Sequence, residues 1–232
     1  MPETITTIAE LDAVMEAATE AIVSMRYFEA ERSADEALRG ARALASAAGF
    51  RAMARIMLPL QEARRQRLDL ACEATRRDAA AGCRPRPVVA DAELDVAPPA
   101  GLWIVSPPMV AADARRLRLA SLRAQSPAAI VCIEPITRAR RCPVVAVGQV
   151  VLRAFVDPPA DLERPDTPWF IAALEALGES AIAAARSERD PIRRVDALMA
   201  ALDAHPDHER LHQALADACR DAALSARSRL RR

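Results

Sequence analysis

Apolar side chains recur at three- and four-residue steps through Ile8, Leu11, Val14, Met15, Ala18, Ile22 and Val23, with Glu10, Asp12, Glu16 and Glu20 in the gaps. That period lays one apolar stripe along an amphipathic helix over 7–23. After a break at Ser24-Met25-Arg26, a second helix is predicted from Tyr27 to about Ser46, with Gly49 marking its end. The third runs from Phe50, with Met53, Ile56, Met57 and Leu60 on one face. Pro59 removes an amide donor inside it, so a kink or restart is expected there.

The texture then changes. Ala79-Ala80-Ala81-Gly82, followed by Arg84-Pro85-Arg86-Pro87, stops the helical pattern, and Ala97-Pro98-Pro99-Ala100-Gly101 is a second break. Leu102–Val105 reads as a short strand. Ala111–Gln125 returns to helical spacing, with Ala114, Leu117, Ala120 and Leu122 on one face and Asp113 in the first turn, where a negative charge complements the helix dipole. Ala128–Ile133 is apolar without interruption, the form of a strand buried on both faces. Strand, helix and strand at this length predict a βαβ unit with a right-handed crossover. Val144–Val147 and Val150–Val156, parted by Gly148-Gln149, predict a hairpin. From Trp169 the helical period resumes, over about 169–186, 191–204 and 207–228, with Pro191 and Pro206 at helix starts.

Small residues at Ala17 and Ala18, then Tyr27, Ala30, Ala34, Ala37 and Leu38, follow the spacing of a two-helix repeat. Leu198, Ala201, Leu202 and Pro206 repeat part of it within 178–206, and Leu215, Ala216 and Cys219 suit a closing helix. The chain thereby resembles the tetratricopeptide (TPR) family over its two helical stretches. The first copy departs from that family in lacking a bulky aromatic near its start, a packing Gly and a closing Pro; the second has Arg194 at a small-residue position. The resemblance implies antiparallel helix pairs that stack to bury their faces. The expected fold class is α+β, mostly helical, with TPR-like antiparallel helix pairs flanking a small βαβ-plus-hairpin domain. The expected divisions are 1–83, a TPR-like lobe; 84–167, a small α/β domain with proline-rich boundaries; and 168–232, a second helical lobe packing on the first.

Composition narrows the function classes. Apolar residues make up 52% of the 232 and charged residues 28%, a globular profile. Aromatics are 3%, so the core is built from Ala, Leu, Val and Ile. The 32 basic residues, all Arg, balance 32 acidic ones; nucleic-acid binding needs a basic excess, so no such partner is expected. The five cysteines are scattered, with no C-x-x-C pair, as in a protein with reduced thiols. Met1-Pro2-Glu3-Thr4 lacks the basic start of a signal peptide, and no apolar run approaches the ~20 residues of a membrane helix. A cytoplasmic location without membrane association is expected.

Candidate chemistry gathers at the carboxyl ends of the βαβ strands, where α/β units bind ligands. Ser106 follows the first strand, Asp113 opens the helix, and Glu134 and Arg138 follow the second strand. A carboxylate with an arginine four residues on, beside a helix N-terminus, can bind a small polar ligand or position a water; the alternative is a loop ion pair between Glu134 and Arg138. The segment holds no Gly-x-Gly-x-x-Gly, P-loop, nucleophile elbow or histidine, so no catalytic residue is assigned. His208 and His212 are four apart and could present two metal ligands from one helix. Asp207 and Glu209 suit ordinary helix-start acids and no Cys or further His adjoins, so a solvated helix face is expected, with no metal and no cofactor. Arg64-Arg65-Gln66-Arg67 is likewise expected to be a wet face, paired with Glu62 and Asp69.

In some members of the resembled family, Lys and Asn clamp a peptide's terminal carboxylate in the concave groove. This chain has Met15 and Thr19 at those places, and the expected groove is apolar, lined by Met15, Ile22 and Val23. The leading expectation is a protein–protein interaction scaffold or adaptor that binds a protein partner or itself. The alternative is a small-molecule-binding or enzymatic α/β domain using the polar strand-end residues.

Overall fold

The computed structural model describes residues 7–88, 91, 94 and 96–230. Met1–Thr4, Arg231 and Arg232 lie outside them. Helices α1 (Ile8–Val23), α2 (Tyr27–Ala43) and α3 (Ala47–Arg77) come first, then β1 (Arg86–Pro87) and β2 (Gly101–Val105), α4 (Ala111–Arg123), β3 (Ala128–Ile133), β4 (Cys142–Val147) and β5 (Val151–Val156), and last α5 (Thr167–Arg186), α6 (Pro191–Ala204) and α7 (Glu209–Leu230). The fold is mostly helical α+β, 61% helix with one mixed sheet. Among the described residues no helix is long and apolar enough to cross a membrane.

Two compact units divide these elements. The first takes Met1–Gln66, Ile182–Met199 and Glu209–Arg232; the second takes Arg67–Ala181 and Ala200–His208.

In the helical unit, the Thr7 hydroxyl accepts from the Glu10 N–H at 3.2 Å and the Glu10 carboxylate accepts from the Thr7 N–H at 3.0 Å, a capping box that starts α1. Ala18 and Ala21 of α1 and Ala30, Ala34 and Ala37 of α2 are buried, small enough for a close helix hairpin. The three-residue connection closes by a Schellman motif: the Met25 N–H donates to Ile22 O at 2.9 Å and the Arg26 N–H to Ala21 O at 2.8 Å. Met25 therefore sits at φ 56°, a position glycine usually takes. Helix α3 runs through Pro59 as one continuous helix, without the restart that was one of the two outcomes expected there. Arg42 of α2 forks onto Asp196 of α6 at 2.7 and 3.0 Å, and Gln61 of α3 donates to Glu209 of α7 at 2.9 Å.

The second unit holds the sheet, ordered β1-β2-β3-β4-β5. Strands β1, β2 and β3 are parallel, with Leu102 opposite Ala129, while β3–β4 and β4–β5 are antiparallel. The βαβ segment and the hairpin therefore fall where the sequence pattern puts them. Period-two alternation sorts their side chains into two layers. Leu102, Ile104, Ala129, Val131 and Val144 pack with Ala71 of α3 and Phe170, Leu174 and Leu177 of α5. Trp103, Val105 and Cys132 pack on the other side with Ala114 and Leu117 of α4. Gly101 is at φ 144°, and the buried Thr75 hydroxyl approaches it closely while accepting from the Leu102 N–H at 2.8 Å.

Candidate functional site

All three histidines are buried, at 3% for His205, 1% for His208 and 1% for His212, so the solvated histidine face expected from the sequence is not what forms. Helix α7 begins at Glu209, which leaves His208 in the connection from α6. In the α/β unit, His205-Pro206-Asp207-His208 is pinned by three polar anchors. The Nε2–H of His205 donates to Leu174 O at 2.8 Å. Asp207 faces the Arg67 guanidinium at 3.6 Å. His208 Nε2 lies 2.9 Å from Glu175 Oε2 and 3.7 Å from Glu179 Oε1.

Helix α5 supplies the other half of this cluster. Glu175 and Glu179 are one turn apart and share a face. Gly178 lies between them in sequence, and a Cβ there would overlap Cγ, Nδ1 and Cδ2 of the His208 ring. Glycine in mid-helix costs about 1 kcal/mol against alanine; here its missing side chain is the seat of an imidazole. The His205 and His208 rings are 5.9 Å apart and tilted by 32°. Burial, aided by His208 and Arg118 and opposed by the bond to Leu174 O, pushes His205 down to about 3, so its ring is neutral at neutral pH. The Nε2 of His208 and one oxygen from each glutamate lie within 4.8 Å of one another, a group that among the described residues could hold a metal ion.

The strand-end candidates are only partly brought together. Asp113 accepts from the Val110 N–H at 2.9 Å and so works as a helix-start acid. Ser106 O accepts from the Met109 N–H in the turn before α4. Glu134 pairs with Arg153 of β5 at 2.8 Å, not with Arg138, which is exposed in the β3–β4 connection. The edge strand β5, on the far side of β4, offers a nearer guanidinium than the turn does. Burial, with Glu134 and Asp113 adding to it, pushes the Cys132 thiol up to about 12, so it is a neutral core group. A cavity of about 340 Å³ in the same unit is walled by apolar groups, Val88, Val96, Pro98, Pro99, Trp103 and Leu117 among them, rather than by the four polar candidates.

In the helical unit, Ile22 packs half-buried against Ala21, Ala30 and Ala63. Met15 is half-buried, and Val23 is 79% exposed beside Met25 at 74%. Arg64, expected on a wet face, is 7% exposed. It holds Glu31 at 2.8 Å and Asp35 at 3.4 Å, with His212 Nε2 at 3.3 Å. Arg67, the first residue of the α/β unit's share of α3, is buried as well, at 5%, while Arg65 pairs outward with Glu62, at 2.8 Å.

No protein-family model, curated protein or solved structure matches this chain.

Proposed function

We propose that this chain is an interaction scaffold whose helical unit offers the α1–α2 corner to the apolar face of a helix on a second polypeptide. The observation that carries this reading is the pair Val23 and Met25, 79% and 74% exposed on either side of Ser24. Two large apolar side chains exposed to water two residues apart have free energy to gain from a cover, roughly 1.5–3 kcal/mol each when fully buried. Their base is rigid: Ile22 is anchored on Ala21, Ala30 and Ala63, and the corner is closed by paired backbone bonds. The ion pair of Arg26 with Glu29, at 2.7 Å, supplies a polar rim.

The test places a photo-reactive side chain at Glu20, one turn before the corner and exposed. Illumination is expected to link it to a second polypeptide, and the Val23→Asp, Met25→Asp pair to remove the adduct at unchanged helicity. Failure to link to any polypeptide, another copy of the chain included, overturns the reading.

A further inference from the structure

We propose that Glu175, Glu179 and His208 form a binding site for a divalent transition ion of the zinc class, separate from the apolar corner. Three features converge on it. The i, i+4 spacing on α5 directs both carboxylates to one face of the helix. Gly178 admits the His208 ring against that face, since any side chain there would occupy the ring's place. The His208 side chain is fully buried, and its Nε2 points at the two carboxylates from 2.9 and 3.7 Å.

The spacing suits a small ion. Ligand atoms about 2.0–2.2 Å from a tetrahedral metal are separated from one another by roughly 3.4 Å, and the three atoms here already lie within 4.8 Å of one another. Rotamer adjustment of two glutamates closes the difference. Both glutamate side chains are exposed in part, Glu175 the more so, and a water would complete the four ligands. One imidazole nitrogen with two carboxylate oxygens favours Zn²⁺ or Co²⁺ over Ca²⁺ and Mg²⁺, which take all-oxygen shells. Binding through Nε2 requires the tautomer that carries its proton on Nδ1, so the ring's N–H moves from one nitrogen to the other as Nε2 becomes a ligand.

The test uses the full chain, stripped with a chelator and titrated with Zn²⁺ by calorimetry, and with Co²⁺ by visible absorption. One equivalent is expected to bind, with the intense visible bands of a low-symmetry four-coordinate cobalt site. Glu175→Gln and Glu179→Gln, isosteric changes at partly exposed positions, should each weaken Zn²⁺ roughly tenfold or more while the far-ultraviolet circular dichroism is unchanged. Cys83→Ser, which removes the exposed thiol, should bind as the wild type does. The proposal is overturned if no stoichiometric binding is seen, if both glutamine variants bind unchanged, if Cys83→Ser abolishes binding, or if Mg²⁺ competes on equal terms.

Discussion

The helical unit and the α/β unit both bury charged or titratable side chains, and they do it by different means. In the helical unit the centre is one cation, Arg64, enclosed by Glu31, Asp35 and His212. Glu31 and Asp35 are themselves one helical turn apart, so the helix period that builds the Ala-packed hairpin also delivers the acids to the guanidinium. In the α/β unit the buried His205 and His208 and the half-buried Asp207 between them come from four consecutive residues without helical period. Their positions are set by the partners they reach, Leu174 O, Arg67 and Glu175. The lesson is that one buried polar centre follows from local period and the other only from tertiary approach.

The largest effect should come from breaking the first centre. Arg64→Met leaves Glu31 buried without its cation and is expected to cost about 3–5 kcal/mol in urea unfolding. Adding Glu31→Leu to that variant should recover most of the loss, because an apolar pair replaces an ion pair at little cost. No recovery would mean that packing, not charge, dominates there.

The second centre should respond to acid. The folded-state pKa of His205 is about 3, below its ordinary 6.5, chiefly through burial. The unfolded chain therefore binds this proton first; the stability the neutral ring contributes is complete above pH 6.5 and is lost as pH falls toward 3. The loss is on the order of 3–5 kcal/mol over the whole window. His205→Gln retains a donor for Leu174 O but does not titrate, so the stability gap between it and the wild type should narrow from about pH 7 to about pH 4. A constant gap contradicts a buried neutral ring.

Gly178→Ala sharpens the contrast with helix propensity. Propensity alone favours alanine by about 1 kcal/mol. Overlap with the His208 ring reverses the sign, and a net loss of roughly 1–3 kcal/mol is expected in thermal or urea unfolding. A stabilised variant would show that the ring is not seated there.

How much of this was legible in the sequence follows the same division. Ala128–Ile133 and Leu102–Val105 announce themselves as strands because a run of apolar residues between proline and glycine breaks has few alternatives, and the α4 period between them fixes the βαβ order. The hairpin was legible from Gly148 between two valine-rich runs. The burial of Arg64 was not, since Arg64, Arg65 and Arg67 look alike until one knows which face meets Glu31. Nor was the histidine site: Asp207 and Glu209 make the local sequence look like an ordinary helix start, and His208 acquires its setting from Glu175 and Gly178, 30 or more residues earlier. Its one sequence signal was Gly178, a glycine inside an otherwise continuous helical pattern and between two glutamates. Glu134 lies just beyond its strand as expected, but its arginine, Arg153, comes from β5, two strands away in the sheet, and turn spacing carries no information about that.

The smallest expected change bears most directly on the scaffold reading. Met25 occupies a left-handed position at the corner of α1 and α2, where glycine carries no Cβ penalty. Met25→Gly should raise stability by about 0.5–1 kcal/mol in urea unfolding, while lowering the yield of the photo-adduct from Glu20 because half of the exposed apolar pair is gone. Higher stability with weaker cross-linking is the outcome the account predicts; an adduct undiminished by Met25→Gly would contradict the assignment of this corner as the partner surface.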